Sequence, residues 1–583
     1  MRLKVTRSKN SSSLYVIKST YVKGRHSSKI VEKLGTFAEL QEKLGGEDPI
    51  AWAKRYIEEL NRKEAEGLEP EVTVRYSPAR VMDCGGRRSF NGGYLFLQCI
   101  YYALGLHRIC FALADRYSFS FNLDSVLSSL VYGRIVFPAS KLGTMRLAEE
   151  FLEQPDFELQ HLYRALSVLA KESDYIQSRL YKNSGKLLDR QTGVIYYDCT
   201  NYFFEIEEED VTRRYGFSKE HRPNPIVQMG LFMDYEGIPL AFCINPGNTN
   251  EQVTLEPLER KLLDDFKLSK FVVCTDAGLA SSANRKFNDA RDRAFVTTQS
   301  VRKLKKYLLD WSLSPGGWRM LGDKAKRTYD LGEVGREMEL DVAAARRYSE
   351  AVFYKERGVR EGDLEQNLIV TYSIKYRDYQ RGVRGRQIER AMKTIASNPG
   401  KLERANANDY RRFIKRGRAS AKGENSKEKE PLSINCELIK KEAAFDGFYA
   451  VCTNLDDDVD AVINITRRRW EIEECFRIMK SEFKARPVYL RRDDRIRAHF
   501  LTCFISLLIY RILEKKLDYK FTCAEIIRGI RDMNFLEVKG DGYIPTYART
   551  KFTDALHEAF GFRTDYQIVS QKKMKEILKK TKA

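Results

Sequence analysis

Two aspartates follow apolar segments that have the composition of buried β-strands. Asp198 comes after the run GVIYY, and Asp276 follows the run KFVVCT. In an open α/β sheet, ligands collect at the ends of the strands, so two carboxylates placed there would meet around a bound group. Each aspartate alone has a second interpretation, because an aspartate after a strand commonly caps a turn. The choice between the two depends on a third carboxylate.

That carboxylate is Glu473, in a segment with helical periodicity that begins at Ile465. At 100° per residue, Arg469, Glu473 and Lys480 fall within about 40° of one another, beside an apolar stripe. A charged stripe at the edge of a buried face would meet the strand ends. The alternative is a solvated, salt-bridged surface, because Arg469 and Glu473 are four residues apart. We expect Trp470, about 100° round the helix, to pack against the protein rather than stack on a base.

Three carboxylates from separate elements suit Mg²⁺ or Mn²⁺, which prefer oxygen ligands and keep positions open for water and phosphate. Two such ions activate the attacking oxygen and stabilise the leaving oxygen in phosphodiester chemistry. The sequence therefore predicts a two-ion site held by Asp198, Asp276 and Glu473. Arg469 and Lys480, on the same stripe as the glutamate, would hold phosphates of the strand being cut.

The positive charge of the chain is unevenly distributed. The net charge is +20, and residues 371–430 hold 17 Lys and Arg against 7 Asp and Glu, a net of +10. This concentration favours a polyanionic partner. The alternative is a solvated loop whose charges only aid solubility. Charge alone does not separate DNA from RNA or an acidic membrane surface.

Cysteine and histidine content argues against a zinc site or a disulfide framework. The 11 cysteines contain no CxxC pair and the 6 histidines are scattered, which is typical of reduced core thiols. The N-terminal sequence MRLKVTRSKN has no apolar stretch behind its charges, and the longest apolar run, 500–510, is too short to span a bilayer. We expect a cytoplasmic protein without membrane association.

The order of predicted elements indicates an α/β fold. Residues 1–35 alternate as in a hairpin with a turn at Lys23-Gly24, and a helical region follows Gly92. From Gly193 the pattern is strand, hairpin, helix, strand, helix, strand, which predicts a core with a mixed sheet. The predicted regions are 1–80 (hairpin and helices), 81–190 (helical), 191–302 (first part of the core), 303–452 (inserted basic α+β domain, loop-like at its end), 453–515 (Glu-bearing and buried helices) and 516–583 (C-terminal region).

The run from Arg469 to Lys480 resembles the Tyr-Arg-Glu-Lys signature of insertion-sequence DDE transposases. The Arg, Glu and Lys spacings match, whereas the position of the Tyr holds Thr466. The segments YYDCTNYFFE and VVCTDAG resemble the first and second aspartate motifs of that family, in the same order and with a long insertion before the Glu. The segments YGFSKEHRPNPIVQMGLFMDYEGIPLAF and PGNTNE are similar to its connecting segments, and likeness continues into both flanks.

This resemblance implies a ribonuclease-H-like catalytic core split by the inserted domain, with DNA-end binding by the N-terminal regions. It implies hydrolysis at the transposon ends and strand transfer into target DNA, catalysed by two Mg²⁺ or Mn²⁺ ions. The partners would be terminal inverted repeats, target DNA and a second copy of the chain, at the nucleoid of a bacterium or archaeon. The expected DNA-binding residues are Arg469, Lys480, Arg477, Arg411, Arg412, Lys415, Arg416 and Arg418.

Two other functions fit the same residues. One is an inactive or domesticated relative that binds DNA without cutting it. The other is a structure-specific nuclease on the same core, which hydrolyses DNA without joining it. The presence of all three carboxylates favours the transposase over the inactive relative.

Overall fold

The computed structural model describes residues 1–8, 11–22, 25–67, 74, 78–79, 81–290, 292–397, 408–416, 432–486 and 488–583. Contacts divide the chain into two units, Met1–Gly86 and Arg87–Ala583. The hairpin turn predicted at Lys23-Gly24 lies outside the described residues.

The first unit is an antiparallel three-stranded sheet followed by two helices. Its elements are β1 (Arg2–Arg7), β2 (Ser12–Val22), β3 (Arg25–Thr36), α1 (Phe37–Lys43) and α2 (Pro49–Gly67). The alternation in β2 buries Leu14 and Val16 on one face. Thr36 and Glu39 form a capping box at the start of α1, which fixes the point where strand gives way to helix.

The second unit opens with a short strand and six helices. They are β4 (Ser89–Asn91), α3 (Tyr94–Ala103), α4 (Leu106–Tyr117), α5 (Leu123–Val136), α6 (Lys141–Ala148), α7 (Leu159–Lys171) and α8 (Ser173–Leu187). Asn122 caps α5 and Ser140 caps α6 through their side chains. The helical pattern predicted after Gly92 is thus present, and these helices pack around a later, buried helix.

A ten-stranded mixed sheet is the centre of this unit. Its strands are β5 (Val194–Phe203), β6 (Ile226–Asp234), β7 (Pro239–Pro246), β8 (Phe271–Thr275), β9 (Arg293–Gln299), β10 (Trp318–Met320), β11 (Thr328–Tyr329), β12 (Val352–Glu361), β13 (Leu364–Ser373) and β16 (Phe448–Thr453). Their order is β11-β10-β12-β13-β16-β9-β8-β5-β6-β7. The pairs β5–β8 and β8–β9 are parallel and the others antiparallel. Helices α9 (Leu255–Asp264) and α10 (Ser282–Asn288) connect its parallel strands.

Half of this sheet comes from the region assigned by sequence to an insertion. Strands β10 to β13 and β16 extend the sheet beyond β9, where β16 pairs with β9 over Val296 to Gln299. The helices there are α11 (Lys306–Leu313), α12 (Leu331–Leu340), α13 (Val342–Ser349), α14 (Ile374–Ser397) and α15 (Cys436–Ala443), with a separate pair β14 (Ile414–Arg416) and β15 (Leu432–Ile434). The region is therefore continuous with the core through backbone hydrogen bonds.

The segment with helical periodicity after Ile465 is not one helix. It forms α16 (Val459–Arg467), α17 (Trp470–Arg477) and a π-helical turn (Ile478–Glu482). The expectation of a single helix with one continuous stripe is wrong, because the chain turns at Arg468 and the π turn then shifts the angular phase.

The buried helix of the second unit is α18 (Asp493–Lys516). Among the described residues, it is the single helix long and apolar enough to cross a membrane, but 94% of its apolar window is buried inside the protein. The bent pair α3 and α4 passes the same test only when taken together. The chain ends with α19 (Cys523–Asp532), β17 (Asn534–Val538), β18 (Gly542–Pro545), α20 (Lys551–Phe560), β19 (Val569–Ser570) and α21 (Gln571–Lys580).

A buried ionic contact fixes α17 against the sheet. Arg511 of α18 is 3% exposed, and its guanidinium donates to Gly237 O at 3.1 Å and to Glu471 Oε2 at 2.6 Å. Gly237 has φ +78° in the β6–β7 turn, and a Cβ there would lie 2.3 Å from the guanidinium. The turn therefore requires glycine, and Arg511 ties it to the helix that carries Glu473.

Candidate active site

The sheet places Asp198 and Asp276 beside each other on parallel strands. The register of β5 on β8 sets Tyr196 opposite Cys274. Continued by two residues, it brings Asp198 level with Asp276, on strands that lie about 4.8 Å apart. Asp276 directly follows β8 as predicted, whereas Asp198 lies inside β5. The expectation that Asp198 ends its strand is wrong, because pairing with β6 extends β5 to Phe203.

The carboxyl group of Asp198 is buried and carries an unfavourable charge. The residue is 9% exposed, and its Oδ1 accepts a hydrogen bond from the Cys199 amide at 2.7 Å. Burial and, to a smaller extent, the nearby Asp276 raise the pKa of Asp198 to about 7, against the opposing effects of Lys219 and Arg469. Such a carboxyl group lacks sufficient positive charge around it, and a divalent cation would supply that charge.

Asp276 caps a turn and also faces the site. Its Oδ1 accepts hydrogen bonds from the amides of Gly278 and Leu279, each at 3.0 Å. In the described part of the chain, its Oδ2 accepts no hydrogen bond. The turn-capping and site-forming interpretations of this residue are therefore compatible, since one oxygen orients the carboxylate and leaves the other available.

Glu473 reaches the aspartates through a shared arginine. Arg469 Nη2 lies 3.0 Å from Glu473 Oε1, with Glu473 58% and Arg469 23% exposed in their side chains. Burial opposes the charge of Arg469, but Glu473, Tyr449, Asp198 and Asp276 raise its pKa. One guanidinium thus interacts electrostatically with all three predicted carboxylates, which come from two strands and a helix.

The donor set suits a divalent metal ion, although the three carboxylates are not arranged as ligands of one ion. Their oxygen atoms do not all lie within 4.8 Å of one another. Arg469 provides the positive charge between them instead. The raised pKa of Asp198 and the adjacent Asp276 are the features that fit a hard, oxygen-preferring cation.

Among the described residues, the cluster that does bring three ligand atoms within 4.8 Å of one another is a different one, at Asp554, His557 and Asp565. Arg563 donates to both aspartates, at 2.6 and 2.7 Å, and Arg549 donates to Asp554 at 2.8 Å. The arginines already neutralise these carboxylates, so this cluster is an ion-pair network within the C-terminal region.

Lys480 points toward the strand that carries Asp198. Its Nζ donates to Thr200 Oγ1 at 2.7 Å and lies 3.3 Å from Glu220 Oε1. Thr200 is two residues after Asp198 and therefore on the same face of β5. Burial lowers the pKa of Lys480, against the effect of Glu220. The π-helical turn brings this lysine to the site even though the predicted continuous helix is interrupted.

Three charged residues at the site were not singled out from the sequence. Lys219 Nζ donates to Cys199 O at 2.5 Å and lies 3.0 Å from Glu251 Oε1. Asp198 and Glu251 raise the pKa of Lys219 against the effect of burial. Glu220 contacts both Lys480 and Arg486. The signal was present in SKEHRP and PGNTNE, charged loop segments that adjoin the strands.

The surface of α17 differs from expectation at one residue. Trp470 is 58% exposed, so the prediction that it packs into the protein is wrong. The helix is interrupted at Arg468, so Trp470 is the first residue of α17 and lies on its solvent side.

Arg477, a predicted DNA contact, pairs with Glu474 at 2.5 Å and remains 52% exposed.

Two of the predicted DNA contacts in the basic region are held by carboxylates. Arg412 pairs with Glu442 at 2.9 Å, with both side chains largely buried. Arg411 lies 3.1 Å from Asp409 Oδ2. These two arginines are therefore already engaged in ion pairs within the protein.

Of the remaining basic residues, the structure describes the side chain of Lys415. Lys415 lies 3.7 Å from Glu437, and both side chains are exposed. The backbone of Arg416 belongs to β14. Arg418 lies outside the described residues.

Comparison with known proteins identifies the family. The family model of the transposase DDE domain matches residues 203–509, more than half of the chain, including Asp276 and Glu473. Asp198 lies just before the matched range. No curated protein matches the sequence. A solved structure, the cryo-EM piggyBac transposase synaptic complex with hairpin DNA, is similar at 8% identity and a TM-score of 0.35, over 76% of this chain and 78% of that chain. On the family match, the chain belongs to the transposase DDE domain family.

Proposed function

We propose that this transposase-family protein cuts DNA at transposon ends and joins the freed ends to target DNA, using Asp198, Asp276 and Glu473 to hold two divalent ions. The observation that supports the proposal is the register of β5 on β8, which, continued by two residues, sets Asp198 level with Asp276. Arg469, which lies 3.0 Å from Glu473, also interacts electrostatically with both aspartates.

Mg²⁺ or Mn²⁺, when bound, would polarise the phosphate and lower the pKa of the attacking water or hydroxyl. The role of the protein's own side chains is to hold the ions and to orient the phosphate. Backbone amides of the turn after β8 fix the Asp276 carboxylate. Asp198, whose pKa is raised to about 7, would lose its proton more readily with a cation beside it. Lys480 and Arg469 supply the cationic groups for phosphate oxygens.

The finer features of the proposal follow the sequence resemblance. They are a ribonuclease-H-like core, the Tyr-Arg-Glu-Lys class with Thr466 in place of the Tyr, terminal inverted repeats as substrate and a homodimer holding two ends. A nuclease on the same core would cut without joining, and an inactive relative would only bind. A strand-transfer assay separates the three.

Glu473→Gln is expected to abolish nicking and joining while binding persists. The substitution keeps the shape of the side chain and removes a charge that metal ions need. The measurements are a gel shift in EDTA and cleavage with Mg²⁺ on the same DNA. Glu474→Gln is the matched control. It makes the same change at the next residue of α17, whose carboxylate pairs with Arg477. Mg²⁺-dependent cleavage by Glu473→Gln would contradict the assignment.

Neutralising Lys415, Arg416 and Arg418 together is expected to weaken binding to every DNA sequence. We propose that the basic region, with Arg411 and Arg412, closes over bound DNA. Each lost phosphate contact should flatten the salt dependence of binding by about 0.9. Leaving Arg411 and Arg412 intact preserves their ion pairs. Affinity measured against salt concentration checks the prediction, and an unchanged slope would show that these charges serve solubility.

A further inference from the structure

A cavity of about 240 Å³ lies between the helical region and the segment after the π-helical turn. Helices α5 and α6 contribute Arg134 and Lys141, and α18 contributes His499. Apolar side chains such as Val488 form much of the wall, and Arg486 also lines the cavity. The cavity lies entirely within the second unit.

Lys141 is a buried cation without a counter-charge. It is 5% exposed, and its Nζ lies 3.4 Å from His499 Nδ1. His499 Nε2 faces Ala485 O at 3.0 Å, which leaves Nδ1 as the acceptor for the lysine. Within the described residues, Lys141 forms no ion pair with a carboxylate. A buried ammonium held only by a neutral ring is unfavourable, and an anion that entered the cavity would favour its charged form.

Arg134 adds a second buried cation to the same cavity. It is 4% exposed, and its terminal nitrogens donate to the backbone carbonyls of Phe483 at 3.1 Å and Ala139 at 3.2 Å. Its Nε is buried without a hydrogen-bond partner. Burial and, to a smaller extent, Arg134 lower the pKa of Lys141 to about 7, as expected where two neighbouring cationic groups have no anion beside them among the described residues.

A chain of contacts joins the cavity to the strand that carries Asp198. Arg486, on the cavity wall, pairs with Glu220. Glu220 also lies 3.3 Å from Lys480, which donates to Thr200 on β5. Ion pairs through Glu220 therefore link the cavity wall to the candidate active site.

We propose that this cavity binds a phosphate group of the DNA strand that enters the active site, with Lys141 and Arg134 as its cationic floor. The inference rests on the proposed function for its DNA partner, but not on catalysis. A phosphate supplies the anionic charge that two buried cations lack and accepts hydrogen bonds from both. The apolar walls exclude water and strengthen this contact.

Lys141→Met tests the proposal in EDTA, in the Glu473→Gln background, so that cleavage has no part in the outcome. The variant is expected to bind DNA roughly tenfold more weakly. Its salt slope should fall by about 0.9, the share of one phosphate contact. Lys572→Met, at an exposed lysine of α21 outside the cavity, controls for loss of charge. Equal affinities and slopes for the two variants would overturn the proposal.

Thermal stability distinguishes a binding role from a structural one. Lys141→Met should melt at or above the temperature of the parent protein, because it removes a desolvated charge. A large loss of stability together with lost binding would assign the lysine to folding and overturn the proposal.

Inorganic phosphate separates the two sources of the anion. It is expected to raise the melting temperature of the parent protein and not that of Lys141→Met. If phosphate has this effect while DNA binding is unaltered by the substitution, the cavity takes free phosphate and the assignment to a DNA strand is wrong. If phosphate stabilises both proteins equally, the cavity is not an anion site.

Discussion

Asp198→Asn is expected to lower Mg²⁺-dependent DNA cleavage by on the order of 10³-fold or more, with DNA binding retained. Asn keeps the size of the side chain and the hydrogen bond from the Cys199 amide, but it removes a negatively charged metal ligand. The measurements are cleavage and gel shift on one DNA substrate. Cleavage within tenfold of the parent protein would remove Asp198 from the site.

The same substitution should stabilise the metal-free protein at alkaline pH. The pKa of Asp198 is raised from 3.8 to about 7, so the folded state holds a proton that the unfolded state has lost. The associated stability is fully present below about pH 4 and is lost as pH rises through 7. A shift of this size corresponds to on the order of 4 kcal/mol.

Asn carries no charge at any pH, so the Asp198→Asn protein avoids this loss of stability at high pH. Denaturant unfolding in EDTA at pH 5 and pH 8 should therefore show Asp198→Asn gaining on the parent protein at the higher pH. Asp264→Asn, an exposed aspartate of α9, is the control. Mg²⁺ at pH 8 should raise the melting temperature of the parent and not of Asp198→Asn, because the ion needs the carboxylate. Equal stabilisation of both proteins by Mg²⁺ would contradict the ligand assignment.

The two aspartates could be predicted because their signal is local. Each aspartate follows a short apolar run that is typical of a buried strand. When two such strands are parallel neighbours, the residues that follow them lie at the same edge of the sheet. The length of β5 was not predictable in the same way. Asp198 lies inside that strand because β6, more than twenty residues later, pairs with it as far as Phe203. Long-range pairing of this kind has no signature in the strand itself.

The helix of Glu473 shows the limit of periodicity. Arg469 and Glu473 do form the predicted i,i+4 pair, because the three residues between them are helical. The break at Arg468 and the π-helical turn depend on packing against β5 and α18. Lys480 reaches the site through that turn. The sequence placed Lys480 on one continuous helical stripe with Glu473. The structure places it near β5 as well, but through the π-helical turn and not through a continuous helix.

The loop residues of the site depend on tertiary structure. Lys219 and Glu251 are more than thirty residues apart and meet only because β6 and β7 bring their loops together. Neither has a spacing motif that could single it out. Lys141 is similar, since its burial depends on α18 and on the segment after the π-helical turn.

Arg469→Met is expected to impair cleavage and to strengthen Mg²⁺ binding to the DNA-free protein. The guanidinium lies 3.0 Å from Glu473 and interacts electrostatically with both aspartates. It therefore supplies the positive charge that a bound metal ion would otherwise supply. An incoming Mg²⁺ has to compete with it for the same carboxylates. Removing the arginine should therefore increase Mg²⁺ affinity roughly tenfold, allowing for solvent screening around the exposed Glu473.

The metal-free Arg469→Met protein should also lose stability above pH 7, because Asp198, Asp276 and Glu473 would then face one another without a compensating charge. Mg²⁺ would restore that stability.

Cleavage by Arg469→Met should still fall by about 10²-fold or more, since the phosphate of the substrate loses a cationic contact. Arg469→Lys retains the charge with a different geometry and should show intermediate Mg²⁺ affinity. Melting temperature measured against Mg²⁺ concentration, beside cleavage of one DNA substrate, checks both effects. If Arg469→Met binds Mg²⁺ no more tightly than the parent protein, the arginine does not stand in for the metal ion, and the three carboxylates are separated for another reason.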